Sequence, residues 1–217
     1  MLANFRREFI RFAVTQKVLC FGQFKTKAGR LSPYFFDAGL FYDGQSLQRL
    51  AQFYAQAIVA GGVEFDMLFG PAYKGIPLVA AVAIALASDG RNVRYSFNRK
   101  EEKDHGEGGS VIGAPLEGRV LIVDDVISAG TSVRQSVNLI TAAGAVPCAV
   151  VIALDRMERG AGELSAVQEV EQLYRIPTLS IATLDDLIAY LQTDTTMFSN
   201  LMAVDKYREK YGVTAHA

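Results

Sequence analysis

Apolar residues recur along this chain at two periods, and the switches between them lay out alternating helices and strands. Over residues 4–14, Phe5, Phe9, Ile10, Phe12 and Ala13 fall on one face of a helix that Asn4 caps. Residues 46–61 repeat that period through Leu47, Leu50, Ala51, Tyr54, Ala57 and Ile58, and Gly61-Gly62 stops it. Short apolar runs at 65–69 and 120–123, the segment 92–97 and the β-rich run 146–154 read as strands, and 173–181 predicts one more. Helices are expected between them at 76–88, which is rich in alanine, and at 132–143, which Gly144 closes. A last helix is expected around 203–211.

Short strands alternating with helices imply right-handed crossovers and a mainly parallel sheet. The expected fold is therefore α/β, doubly wound, with its core over 65–181. Residues 1–64 would form a small N-terminal hood with flanking helices, and 182–217 a helical segment packed on the core. Ligands of such sheets lie beyond the carboxyl ends of the strands, where loops meet helix N-termini.

Composition narrows the ligand more than the fold. The 217 residues are 50% hydrophobic and 21% charged, enough for a sizeable core, and the formal charge is -1. That balance gives no global reason for nucleic acid or an anionic membrane as partner, so any anion must be bound locally. Cys20 and Cys148 stand far apart with no CxxC spacing, which points to reduced thiols rather than a disulfide or zinc framework. The N-terminal stretch is broken by Arg6, Arg7, Glu8 and Arg11, and the longest near-apolar run, 76–88, is too short to span a bilayer. A soluble, cytoplasmic protein is expected.

The chemistry concentrates in VLIVDDVISAGTS, residues 120–132. A buried strand runs into Asp124 and Asp125, and then into Ser128, Ala129, Gly130, Thr131 and Ser132 at the start of a helix. Backbone N–H groups at that start are unpaired and carry the positive end of the helix dipole; with three hydroxyls they make a cradle for a monophosphate. Two carboxylates beside a phosphate repel it unless they face something else. A ribose cis-diol supplies two adjacent hydroxyl donors for them, so a ribose 5-phosphate satisfies both halves. A divalent cation near the acidic pair is natural too. An isolated Asp pair could equally cap a helix, but the thirteen-residue pattern is more specific than that. No GxxxxGK[ST] occurs, and GEGGSVIG does not match GxGxxG.

These residues resemble the phosphoribosyl pyrophosphate (PRPP) motif of the type I phosphoribosyltransferases. The motif alone leaves the base open. KTKAGRLSPYFFDAGLF (25–41), GPAYKGIPL and RYSFNRKEEKDHGEGG resemble, in the same order, segments of the orotate-specific members, and with Asp155-Arg156 the likeness covers about 21–156. It implies transfer of a phosphoribosyl group from PRPP to orotate with Mg²⁺, the metal being bound mainly through PRPP with Asp124 and Asp125 nearby. It implies PRPP contacts at Lys27, Tyr73, Lys74, Arg99, Lys100, Lys103, His105 and 124–132, which adds Val126 and Ile127 to the cradle. Orotate would be held by Phe35, Phe36, Ser128 and Arg156. Ser128 stands where Thr is common in the family. A non-proline cis peptide is expected at Ala72-Tyr73.

The residue types suit that chemistry. Loss of pyrophosphate builds positive charge at C1 and negative charge on the leaving group, so cations and a dry pocket serve better than a protein nucleophile. Lys74 follows a Gly-Pro turn after a strand, which puts its ammonium at the ligand edge. A charge run such as RKEEKDHGEGG is ordinarily a solvated loop; its glycines allow one that closes over pyrophosphate. The resemblance implies that Lys100, Lys103 and His105 act in the neighbouring subunit's site, hence a homodimer, with Lys103 the leading transition-state cation. His105 can share a proton near neutrality. Phe35-Phe36 offers an aromatic face, with core aromatics as the alternative, and Arg156 a bidentate fork for a carboxylate. A PRPP-sensing regulator, a PRPP synthetase, a receiver domain and a transferase for another base are the competing readings. The last is the nearest, and it predicts that Phe35, Phe36 and Arg156 do not line the base pocket.

Overall fold

A computed structural model describes residues 2–26, 28–99, 110–160 and 162–213. Lys27, Lys100, Lys103 and His105 lie outside the described residues, and so does most of the basic loop. The chain begins with helix α1 (Leu2–Thr15) and a hairpin of β1 (Leu19–Lys25) and β2 (Leu31–Phe36), followed by α2 (Gly44–Gly61). The core follows as β3 (Met67–Gly70), α3 (Gly75–Ser88), β4 (Arg94–Asn98), β5 (Val111–Gly113), β6 (Arg119–Val123), α4 (Thr131–Ala142), β7 (Val146–Asp155), α5 (Ala166–Tyr174) and β8 (Thr178–Thr183). Helices α6 (Leu184–Leu191) and α7 (Phe198–Tyr211) end it.

Six strands form one sheet in the order β5-β4-β3-β6-β7-β8, parallel throughout except for the short edge strand β5. Alternation along the strands feeds two cores. Leu68, Leu121, Val123 and Val151 point to one face, against Phe9, Leu50, Phe53, Val79 and Leu187 of α1, α2, α3 and α6. Met67, Phe69, Ile122 and Ile152 point to the other, against Val133, Ile140 and Val170 of α4 and α5. Both faces are covered, as a parallel sheet requires. The parallel strands run outward from β3 in both directions, so β3 and β6 flank the point where the winding reverses. Their carboxyl ends open a crevice there.

Several boundaries depart from the expected ones: α1 already begins at Leu2, so Asn4 lies inside it, donating to Glu8, rather than capping it. Helix α2 starts at Gly44, because Asp43 accepts the Ser46 N–H and the Ser46 side chain answers in a capping box. The strand expected over 173–181 begins only at Thr178: Leu173 and Tyr174 end α5, which the Ser165–Gln168 capping box starts and Arg175, in the left-handed region, stops. The β1–β2 hairpin, with register Leu19 opposite Phe36, was not expected from periodicity. It forms its own two-stranded sheet. Among the described residues no helix is long and apolar enough to cross a membrane.

Candidate active site

The crevice is built by the loops that leave β3 and β6. After Gly70 the chain turns through Pro71 and Ala72, and the Ala72-Tyr73 peptide is cis, as expected. The Ala72 N–H donates to Oδ1 of Asn98, 2.7 Å away at the end of β4, tying two neighbouring strand ends together. Helix α3 then starts so close to β3 that a Cβ on Gly70 would lie 2.2 Å from the Gly75 carbonyl oxygen, and one on Gly75 2.7 Å from Pro71 Cδ. That contact fixes where Lys74 emerges. Its ammonium donates to Asp125 Oδ2 at 2.8 Å and to Asp37 Oδ1 at 3.3 Å. Burial works to lower the Lys74 pKa, but pairing with Asp125 and Asp37 outweighs it, and the ammonium is held in its charged form.

On the β6 side, Asp124 and Asp125 are buried. Asp124 accepts from Ser132 Oγ at 2.7 Å and from the Asp125 N–H at 2.9 Å. Burial pushes the Asp124 carboxyl up to about 6, against the lowering effect of Ser132. From α2, Tyr54 donates its hydroxyl to the Asp124 carbonyl at 2.8 Å and anchors the turn. Ser128, Ala129 and Thr131 are exposed, and Gly130 opens α4 in the left-handed conformation (φ 65°) with no side chain capping its N–H groups. Exposed helix-start amides beside two hydroxyls make an anion cradle, a few residues from two carboxylates that can accept from a diol.

At the end of β7, Arg156 donates through Nε to Glu158 at 2.8 Å and through Nη2 to Ser32 Oγ at 3.0 Å, with its guanidinium 4.2 Å from the Tyr34 ring centroid. The hairpin thus lies against the same edge of the sheet.

Residues 39–172 match the phosphoribosyl transferase domain family. The chain is 65% identical to the orotate phosphoribosyltransferase of Thiobacillus denitrificans over 98% of its own length and 100% of that protein's. It is 64% identical to that of Nitrosospira multiformis, over 97% and 92%. The crystal structure of the Francisella tularensis orotate phosphoribosyltransferase superposes with a TM-score of 0.86 at 41% identity, covering 95% of this chain and all of the other. The chain belongs to the orotate phosphoribosyltransferases.

Within that family the fold brings Lys74, Asp125 and Asp37 together through ion pairs, next to the Asp124–Ser132 hydrogen bond and the 126–132 turn; Tyr73 precedes Lys74 in the same loop, Arg99 follows the end of β4, and Arg156, at the end of β7, meets the hairpin that carries Phe35 through Ser32. Two sequence expectations change in detail. Adjacent residues of β2 face opposite ways, so Phe35 is exposed and stacks on Phe24 at 5.5 Å, while Phe36 is buried and turns its ring toward Phe9. For the Phe36 ring the core reading holds. The Ser132 hydroxyl is engaged by Asp124, which leaves the exposed Ser128 and Thr131 as the side-chain donors of the cradle. Asp37, Tyr54 and Asn98 were missed. Nothing in sequence separates Tyr54 from the core aromatics around it, because its partner lies 70 residues away.

Proposed function

We propose that this protein transfers the phosphoribosyl group of PRPP to N1 of orotate, releasing pyrophosphate and forming orotidine 5′-monophosphate for pyrimidine nucleotide synthesis. The observation that carries this reading is the meeting, at the sheet's switch point, of a diol-accepting acidic pair, an anion cradle and the Lys74 ammonium. Backbone N–H groups of 128–132 hold the 5-phosphate, and Asp124 and Asp125 accept from the ribose hydroxyls. The arriving pyrophosphate draws Lys74 off Asp125 and frees that carboxylate for the sugar. Phe35 covers one face of orotate and Arg156 takes its carboxylate. The C1–oxygen bond to pyrophosphate then breaks as the C1–N1 bond forms.

No group of three or more His, Cys, Asp or Glu is poised to hold a metal among the described residues. Two carboxylates, one already tied to Lys74, suit a Mg²⁺ that arrives on substrate oxygens rather than one caged by protein. Bound that way, Mg²⁺ would neutralise and orient the pyrophosphate. On the same reading Arg99, Lys100, Lys103 and His105 supply further cations to the leaving group, the last three across a homodimer interface, and Lys27 is a further PRPP ligand. A reducing, cytoplasmic setting is supported by the two free cysteines, and burial pushes the Cys148 thiol up to about 11, out of reactive range.

The assay is loss of orotate ultraviolet absorbance with PRPP and Mg²⁺, run beside uracil and hypoxanthine. Consumption of orotate alone is expected; an inert orotate with another base consumed ends the assignment. Lys103→Ala is expected to lower turnover far more than PRPP affinity. Mixed with a subunit carrying Asp124→Asn and Asp125→Asn, it should recover about a quarter of wild-type activity, since half the dimers are mixed and each holds one intact site. No recovery after verified subunit exchange would rule out a shared site.

A further inference from the structure

The segment that follows Arg156 is strapped to the C-terminal end of α7. The Val213 N–H donates to the Met157 carbonyl at 2.8 Å and the Arg159 N–H to the Tyr211 carbonyl at 2.9 Å, around an antiparallel bridge between Glu158 and Gly212. The Arg159 guanidinium donates to the Lys210 carbonyl. From the other side Arg30, in the turn of the hairpin, donates to the carbonyls of Arg159 at 2.7 Å and Gly160 at 2.9 Å and lies over the Tyr211 ring.

Inside this strap the Glu158 carboxylate divides its two oxygens. Oε1 accepts from Arg156, with Nη2 at 2.5 Å and Nε at 2.8 Å, and more weakly from the Tyr34 hydroxyl at 3.4 Å. Oε2 accepts from the Tyr207 hydroxyl of α7 at 3.1 Å. The side chains of Arg156 and Glu158 are only 23% and 14% exposed. Burial raises the pKa of both phenols, so each remains an O–H donor. A carboxylate held at one oxygen swings about its last torsion, whereas one held at both has a fixed plane, and so has the guanidinium bound to it.

We propose that the C-terminal helix is part of the base pocket: Tyr207 and Glu158 are positioning residues that fix the guanidinium of Arg156 for the carboxylate of orotate. The proposal rests on the reading of Arg156 as the carboxylate ligand. It gives α7 a specificity role although Tyr207 stands 51 residues after Arg156 in sequence. Nε and Nη2 are engaged by Glu158 and Ser32, so it is Nη1 that is set for the ligand; arginine has many rotamers, and a guanidinium fixed beforehand does not lose that entropy at each encounter.

The test is steady-state kinetics on the full-length enzyme with Tyr207→Phe, Glu158→Gln, Arg156→Ala and the double variant Tyr207→Phe/Arg156→Ala. Tyr207→Phe keeps the ring packing against Tyr34 and Tyr211, so it removes one hydroxyl and little else. It is expected to raise KM for orotate about 3- to 10-fold, with KM for PRPP within about 2-fold of wild type. Glu158→Gln is expected to act in the same direction and at least as strongly. In the Arg156→Ala background Tyr207→Phe should add nothing, because the group it positions is gone. If Arg156→Ala raises the orotate KM while Tyr207→Phe and Glu158→Gln leave it unchanged or lower it, the positioning role is overturned and the reading of Arg156 stands. Equal rises in both KM values for Tyr207→Phe, pointing to general loosening, also overturn it. If Arg156→Ala itself leaves the orotate KM unchanged, the base-pocket reading falls and takes this proposal with it. Should Glu158→Gln fold poorly, Tyr207→Phe and the double variant decide the matter.

Discussion

Replacing Asp124 by Asn is expected to make the ligand-free protein more stable at pH 7 and a far poorer enzyme. The carboxylate is buried, it accepts from a hydroxyl and a backbone N–H, and the nearby ammonium of Lys74 is bound to Asp125 instead. Its pKa is therefore pushed up, by burial above all, from 3.8 to about 6. Below about pH 4 the group is protonated whether the chain is folded or not, and it costs nothing. Between pH 4 and 6 the unfolded chain ionises first, so wild-type stability falls as pH rises. Above pH 6 the penalty is complete, on the order of 3 kcal/mol. Asn is nearly isosteric, can accept the Asp125 N–H through its oxygen, and can donate to Ser132. The variant should melt roughly 6–12 °C higher at pH 7 and lose most of that advantage by pH 4. Activity should move the other way. The diol loses a charged acceptor, worth about 1.5–3 kcal/mol, so kcat/KM for PRPP should drop on the order of 100-fold. Melting curves at both pH values check the first half. A variant that melts lower than wild type at pH 7 would show that Asp124 is a structural cap rather than a functional charge held at a cost.

Gly70→Ala should cause the largest loss of stability. The position has no positive φ to excuse a glycine; what demands one is contact, since a Cβ would lie 2.2 Å from the Gly75 carbonyl oxygen and 2.7 Å from Val79 Cγ1. Backbone at that distance cannot yield by a rotamer change. Either β3, buried along its whole length at the centre of the sheet, or α3, whose inner face packs in the core beside it, must shift. Overpacking of this kind costs about 3 kcal/mol or more, which should lower the melting temperature by roughly 6–12 °C. The same shift displaces the 71–74 loop and Lys74, so any folded fraction should bind pyrophosphate poorly. A variant melting within about 2 °C of wild type would mean that the approach of α3 to β3 is not tight in solution.

The alternation of short apolar runs with 3.6-period segments was enough to fix the doubly wound class, and strand ends with helix starts were enough to locate the ligand edge. Both follow from local rules: a buried parallel strand must be apolar on both faces, and a helix start must leave N–H groups unpaired. For the same reason VLIVDDVISAGTS is legible as a sugar-phosphate site from its residues alone, since all its parts lie within one strand, one turn and one helix start. The hairpin escaped because LCFGQFK and LSPYFF are too short and irregular to carry a period, and α5 because its stripe of Val167, Val170 and Tyr174 spans only nine residues and runs into the segment read as a strand over 173–181.

Contacts between distant segments were beyond such rules. Which ring of Phe35-Phe36 faces outward depends on the side from which the hairpin is covered. That Lys74 rests between Asp37 and Asp125, that Tyr54 anchors the Asp124 turn, and that Glu158 meets Tyr207 depend on how helices and hairpin pack around the strand ends. Periodicity states which face of an element is buried but not what it is buried against. The pairing of charged and hydroxyl groups at this site is chosen by the packing.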